Sequence, residues 1–423
     1  MNLTVNKINS LKGEITIPSD KSISHRSAMF SSLTKGIVEI ENFSMGADCI
    51  STLNIIKSLG CEAEFIAEKH LRINAKNALK KDRYNLDCGN SGTTMRLFAG
   101  ILASREIEST LYGDESLSKR PMKRVIVPLE LMGGKFKHKD YKAPLIITGK
   151  ELYPIDYKTP IASAQVKSCI LLAGLNTYGE TKVTEPFISR DHTEKMLKYL
   201  NADITTNNNT TKIKKSQLEP KNLKISGDIS SAAFFMVAAA IVPNSNIILK
   251  NVGLNPTRTG IIDVMKNMGA DITILNQTTE CNEEVGDIQV KTSELQGITI
   301  EGEIIPRLID ELPIIAVLAS QANGETIVKN AQDLRNKESD RIKCLVTELT
   351  KIGVNIEETP DGFIIQGKTK LKGDSEVECY HDHRLAMSLY VAGLVCQKPI
   401  LIKEFQWVDI SFPEFLPLIQ TLI

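Results

Sequence analysis

The chain has 423 residues, too many for one ordinary core, so two or more domains are expected. A hydrophobic share of 42% with 24% charged residues excludes disordered and collagen-like chains. Its 51 basic and 51 acidic residues cancel, which leaves no global field for recruiting nucleic acid or an anionic membrane, so any anion recognition is local.

The N-terminal stretch through Ser22 lacks an apolar core and a small-residue cleavage site, and no apolar run approaches the roughly 20 residues of a spanning helix. A cytoplasmic location is expected. The eight cysteines are dispersed, without a Cys-x-x-Cys pair, mostly in apolar runs such as that around Cys169. They read as small buried hydrophobes rather than as a disulfide framework.

In chain order, six polar clusters each open an apolar helical run: Ser19–Arg26, Asn90–Arg96, Ser163–Lys167, Gly227–Ser231, Asp310–Pro313 and Asp382–Arg384. Each run is followed by a strand candidate, at 36–42, 107–113, 179–186, 245–252, 324–330 and 399–405. A second, amphipathic helix interleaves with these and ends at Gly60, Gly133, Asn201, Gly269 and Gly353, about 70 residues apart. Gly or Asn suits the left-handed position that closes a helix, and a short β-like run follows each. Residues 412–423 read as a sixth copy of this helix, with no strand after it. Two phrases that keep step predict six copies of one α/β unit.

Ser, Asp, Asn and Thr at the openings are helix caps, and converging helix starts would direct positive dipole ends and free amides at one region. Caps serve any globular helix. What favours anion binding is the cations and amides in the same openings: Lys21, Arg26, Arg96, Gln165, Lys167 and Arg384. Lys21, Ser22 and Arg26 together suit a phosphate or carboxylate. Gly92 lets backbone approach a ligand, yet neither a P-loop nor a G-x-G-x-x-G is present, so ATP and dinucleotide binding have no support.

Around Arg120 lies a basic loop, Ser118–Arg124, that in isolation reads as a solvated charge run. Ser163, Ala164 and Gln165 open the third helix, and Ser189 and Arg190 precede another helix start. Asp310 has a simple alternative as an N-cap, and Lys337–Arg341 has one as a surface helix with local ion pairs. The histidines are scattered, without H-E-x-x-H, and no G-x-S-x-G is present, so neither a metal site nor a nucleophile elbow is expected.

Nine stretches between residues 18 and 387, taken in order, resemble the enolpyruvyl transferases, most closely the members acting on shikimate 3-phosphate. They are PSDKSISHR, CGNSGTTMR, DESLSKRPMKR, ASAQVKSCILLAGL, EPFISRDHTEKML, GDISSAAFF, LIDELPIIAVLA, LRNKESDRI and YHDHRLAM. The resemblance implies a two-domain inside-out α/β barrel of six βαβαββ-type units, three per domain. It places one domain at 19–228, on the shikimate 3-phosphate side, and the other at 1–18 plus 229–423, on the phosphoenolpyruvate side. The active site would lie in the cleft between them. It further implies a monomer that needs neither a metal nor another cofactor.

The implied reaction moves the enolpyruvyl group of phosphoenolpyruvate to the 5-hydroxyl of shikimate 3-phosphate and releases phosphate. Shikimate 3-phosphate would be held by Lys21, Ser22, Arg26, Ser163, Ala164, Gln165, Ser189, Arg190, Asp310 and Lys337. Phosphoenolpyruvate would be held by Lys21, Gly92, Arg120, Gln165, Arg341 and Arg384. Asp310 and Glu338, with Lys21, would be catalytic, and which carboxylate is acid and which is base stays open. Gly92 would leave room for phosphoenolpyruvate mimics such as glyphosate.

Some relatives carry a second serine at Ala164, a tyrosine at His192 and a lysine just before the F-P motif, where this chain has Ile410-Ser411-Phe412-Pro413. The sister enzyme acting on UDP-N-acetylglucosamine is the nearest rival. It carries a cysteine in the loop matching Ser116–Pro121 and pairs its lysine with asparagine, and this chain has neither feature. A non-catalytic anion-binding repeat protein is the rival of another class. Pure binding of anions gives no reason to keep Asp310 and Glu338 beside the arginines.

Overall fold

Six helices form the centres of the cores, because almost every side chain on them is apolar or small and turns inward. They are Lys21–Ser31, Gly92–Ala103, Ala164–Gly174, Ile229–Ile241, Leu312–Ser320 and His383–Gly393, each directly after a polar opening. The computed structural model describes residues 1–80 and 82–423. It divides into two units: Ser19–Ile225 with Glu280–Glu283 (the inserted unit), and Met1–Pro18 with Ser226–Thr279 and Glu284–Ile423 (the discontinuous unit). Asp228, at the end of the segment read as inserted, belongs instead to the discontinuous unit, where its N–H donates to the Pro18 carbonyl at 2.9 Å.

In the inserted unit three four-stranded sheets surround the first three helices. Each predicted strand, Ile37–Glu41, Glu108–Tyr112 and Glu180–Thr184, has a parallel neighbour on one side and an antiparallel hairpin on the other. Ile37–Glu41 shows why: Val38 and Ile40 are buried while Ile37 and Glu41 are exposed, the period-two pattern of a sheet with one covered face. Helices therefore lie inside and sheets outside. Gly100, in the middle of the second helix, is required by packing rather than by a turn. A Cβ there would stand 2.1 Å from the Cys169 carbonyl oxygen of the third helix.

The discontinuous unit repeats the plan with Asn246–Gly253, Gly324–Val328 and Ile400–Lys403 as the corresponding strands. Its third sheet differs. Ser375–Glu378 pairs in parallel with Ile400–Lys403, but the antiparallel side is taken by Leu3–Val5, from the other end of the sequence. The predicted sixth helix is present at Phe415–Gln420. All five predicted helix-closing residues have positive φ, +98° at Gly60, +91° at Gly133, 65° at Asn201, +95° at Gly269 and +98° at Gly353. The eight cysteines are free thiols, six buried and two, Cys281 and Cys344, partly exposed. Among the described residues no helix is long and apolar enough to cross a membrane.

Candidate functional site

Four helix starts are tied together in the inserted unit. Arg26, on the first helix, is 3% exposed and donates from Nε to Thr193 Oγ1 at 2.8 Å, from Nη1 to the Ser22 carbonyl at 3.0 Å and from Nη2 to Ser168 Oγ at 3.1 Å. Thr193 lies in the helix His192–Tyr199 and Ser168 in Ala164–Gly174. Arg96 Nη1 donates to Gln165 Oε1 at 2.7 Å, and Gln165 Nε2 donates to Thr93 Oγ1 at 2.9 Å, which links the second and third starts. Lys21, at the first helical position, pairs with Asp48 at 3.1 Å.

Gly92 begins the second helix between two arginines. A Cβ there would lie 2.7 Å from Arg96 Nη1 and 3.6 Å from Arg120 Nη1. Arg120, in the loop that read as a solvated charge run, donates to Asn90 Oδ1 at 2.8 Å and so is turned toward this helix start. Ser163 is the residue before the third helix, but its hydroxyl makes no capping bond, and Ala164 takes the first helical position. Ser189 is 3% exposed, and Arg190 follows it before the helix His192–Tyr199.

One expectation is corrected here. Lys167, whose place in the third opening suggests an anion-gathering cation, is 3% exposed and pairs instead with Glu185 at 2.7 Å and Glu194 at 2.8 Å. Burial by itself would lower its ammonium, but the two carboxylates outweigh that and hold it above the usual lysine range. Spacing gave no sign of this cluster, because its members lie on two helices and the segment between them.

The second group of residues lies in the discontinuous unit and centres on Arg341. This side chain is 1% exposed. It donates from Nε to Asp382 Oδ2 at 2.7 Å and from Nη2 to Glu338 Oε2 at 2.6 Å, and Nη1 stands 3.4 Å from Asp310 Oδ1. Burial alone would lower its guanidinium, but Asp382, Glu338 and Asp310 together raise it above the ordinary arginine value. Lys337 Nζ reaches Asp310 Oδ1 at 3.1 Å. Asp310 is therefore not the cap of its helix: Glu311 occupies that position, and the Asp310 carboxylate serves two cations. The alternative of a surface helix at Lys337–Arg341 also falls, since helix begins only at Arg341.

Arg384 donates from Nη1 to the Asp310 carbonyl at 3.0 Å, and its own N–H is capped by Asp382 Oδ1 at 2.9 Å. Asp382, fully buried, thus caps the helix that carries Arg384 and also holds the Arg341 guanidinium, the second a role that its N-cap reading did not reveal. The opening at Gly227–Ser231 holds no cation in its own sequence. The fold supplies one: buried Arg258 reaches Asp228 Oδ1 at 3.0 Å and Ser230 Oγ at 2.7 Å.

Chemically, the inserted unit offers hydroxyls, amides and cations around helix N-termini, a set that suits phosphate. The discontinuous unit holds three carboxylates on one guanidinium, of which Glu338 and Asp310 are the less buried, a set that suits proton transfer beside an anion. The family model described as EPSP synthase (3-phosphoshikimate 1-carboxyvinyltransferase) matches residues 5–419. The chain belongs to the EPSP synthase family. Within it, the chain is 51% identical over 429 residues to 3-phosphoshikimate 1-carboxyvinyltransferase of Thermodesulfovibrio yellowstonii, covering 100% of both chains. It is 49% identical to that of Petrotoga mobilis, covering 100% of this chain and 99% of the relative.

Among solved structures, EPSP synthase from Acinetobacter baumannii superposes with a TM-score of 0.89 at 41% identity, covering 100% of this chain and 98% of that one. The enolpyruvyl transferase NikO from Streptomyces tendae gives 0.82 at 15% identity, covering 100% of this chain and 97% of the other, and so shares the fold. The architecture is thus that of the enolpyruvyl transferases, as the resemblance implied.

Proposed function

We propose that this chain carries out the reaction for which its family is named: transfer of the enolpyruvyl group of phosphoenolpyruvate to the 5-hydroxyl of shikimate 3-phosphate, with release of phosphate. The observation that carries the reading is the Arg341 cluster. One buried guanidinium spans Glu338 at 2.6 Å and Asp310 at 3.4 Å, which brings two proton-transfer groups and a cation together.

In the proposed addition, the 5-hydroxyl oxygen attacks C2 of phosphoenolpyruvate and loses its proton, while C3 gains one. The tetrahedral intermediate then loses phosphate and a C3 proton, which restores the double bond. Glu338 and Asp310 exchange these protons with the substrates. Arg120, Arg341 and Arg384, with Lys21, Gly92 and Gln165, receive phosphoenolpyruvate, and the cations stabilise the departing phosphate. Shikimate 3-phosphate is assigned to Lys21, Ser22, Arg26, Ser163, Ala164, Gln165, Ser189 and Arg190, and its ring hydroxyls to Asp310 and Lys337. The reading also takes the chain to be a cytoplasmic monomer.

The test is phosphate release from phosphoenolpyruvate with shikimate 3-phosphate or UDP-N-acetylglucosamine as acceptor. Release with the first alone is expected, and release with neither overturns the assignment.

A further inference from the structure

We propose that Glu185 is a positioning residue for the sugar-phosphate subsite, fixing the backbone at Ser163 and Ser189 relative to each other. The proposal rests on the reading above that these two serines face shikimate 3-phosphate. Glu185 follows the strand Glu180–Thr184 and is 2% exposed. Its Oε1 accepts from the Ser163 N–H at 3.0 Å and from Ser189 Oγ at 2.7 Å, and its Oε2 accepts from the Ser189 N–H at 3.3 Å. One carboxylate therefore joins the start of the third buried helix to the loop before the helix His192–Tyr199.

A buried carboxylate is tolerated only when its charge is matched. Lys167 supplies the match from Nζ to Glu185 Oε2 at 2.7 Å, and it also contacts Glu194 and the Ser189 carbonyl. An ammonium has three protons, so these contacts use it fully and leave it no part in holding the anion directly. Ser189 has a single hydroxyl proton, given to Glu185, whereas a phosphate oxygen only accepts. Binding therefore turns that proton from Glu185 to the phosphate. Glu185 keeps two backbone N–H groups and the ammonium, so the turn leaves no buried carboxylate unsatisfied.

Steady-state kinetics of the full chain test this with four variants. Glu185→Gln replaces one acceptor oxygen by a donor amide, so at least one of the two serine N–H groups loses its acceptor, and KM for shikimate 3-phosphate is expected to rise about tenfold or more, the size of a lost charge-assisted hydrogen bond. The KM for phosphoenolpyruvate and kcat are expected to move less than about threefold, on the same scale. Glu194→Gln is the control: it loses the same lysine partner but touches neither serine, and its KM is expected to stay within about twofold of the parent. Equal increases in both variants would make the cluster merely structural and overturn the proposal.

Should Glu185→Gln not fold, Glu185→Asp keeps the charge opposite Lys167 and draws the carboxylate back by one methylene. A rise of about fivefold is expected, and an unchanged KM in folded protein overturns the proposal. Ser189→Ala separates the two levels. If it raises this KM while the Glu185 variants do not, positioning alone fails. If it leaves KM unchanged, the subsite reading fails and takes the proposal with it.

Discussion

Arg341 sets the terms for the chemistry of its neighbours. With Asp382 fixing its Nε, the same guanidinium holds Glu338 and leaves Asp310 shared with Lys337. Glu338→Gln keeps the shape of that contact and removes the proposed proton-transfer group. Turnover is expected to fall about 10²-fold or more with an unchanged melting temperature, and near-normal kcat would remove Glu338 from the mechanism.

Gly92→Ala puts a methyl group 2.7 Å from Arg96 Nη1, the mobile end of a long side chain, so the protein should fold and the arginine should yield. The expected result is a KM for phosphoenolpyruvate raised about tenfold, with weaker inhibition by glyphosate measured alongside. Unchanged constants for both would show that the space at Gly92 is not used.

His25 gives a prediction about stability. It is 1% exposed, shares a 2.7 Å hydrogen bond with Thr52 Oγ1, and burial lowers its pKa to about 3, with Asp48 opposing and Lys21 and Arg26 assisting. In the unfolded chain an imidazole protonates below about pH 6.5. Between those values the unfolded chain binds the extra proton, so stability falls as pH is lowered from about 6.5 toward 3 and is unaffected above. The slope is up to about 1.4 kcal/mol per pH unit. His25→Asn retains a partner for Thr52 and should flatten this part of the urea-midpoint profile. An identical profile would show that other groups set it.

At the scale of elements, caps and helix closures were legible, because both depend on residues within one turn. Asp20, Ser91, Asp228 and Asp382 each accept from a backbone N–H two or three residues on. The partners of Lys167, Arg258 and Asp382 were not legible. They come from segments 18 to 41 residues away, and a buried ion pair leaves no periodicity in the sequence. The same limit applied to the loop of Arg120, where composition alone suggested solvent.

Gly100 belongs to this scale as well. In an exposed helix Gly→Ala would help by about 1 kcal/mol. Here the new methyl would collide with a backbone carbonyl at 2.1 Å, which cannot swing aside as a side chain can. Gly100→Ala is expected to destabilise by about 1–3 kcal/mol, measured by urea unfolding, and a gain in stability would show that the two helices can separate without cost.

For the whole molecule, the repeat carried most of the fold. A 423-residue chain that repeats one α/β phrase has few ways to bury six apolar helices other than by wrapping them in sheets. What the repeat did not reveal was strand order. The hairpins were visible only as β-like runs, and nothing local indicated that Leu3–Val5 would complete the last sheet.

That pairing also bears on biosynthesis. Leu3 lies opposite Ile402, about four hundred residues later, and the Phe405 N–H returns to the Met1 carbonyl at 2.8 Å. At roughly 5–20 residues per second, the first strand leaves the ribosome about 20–80 s before its partner is made. Apart from the Glu280–Glu283 tip, the inserted unit is complete by Ile225 and can fold well before then. Throughout that interval Leu3–Val5 lacks the neighbour that completes its sheet and is open to chaperones and proteases.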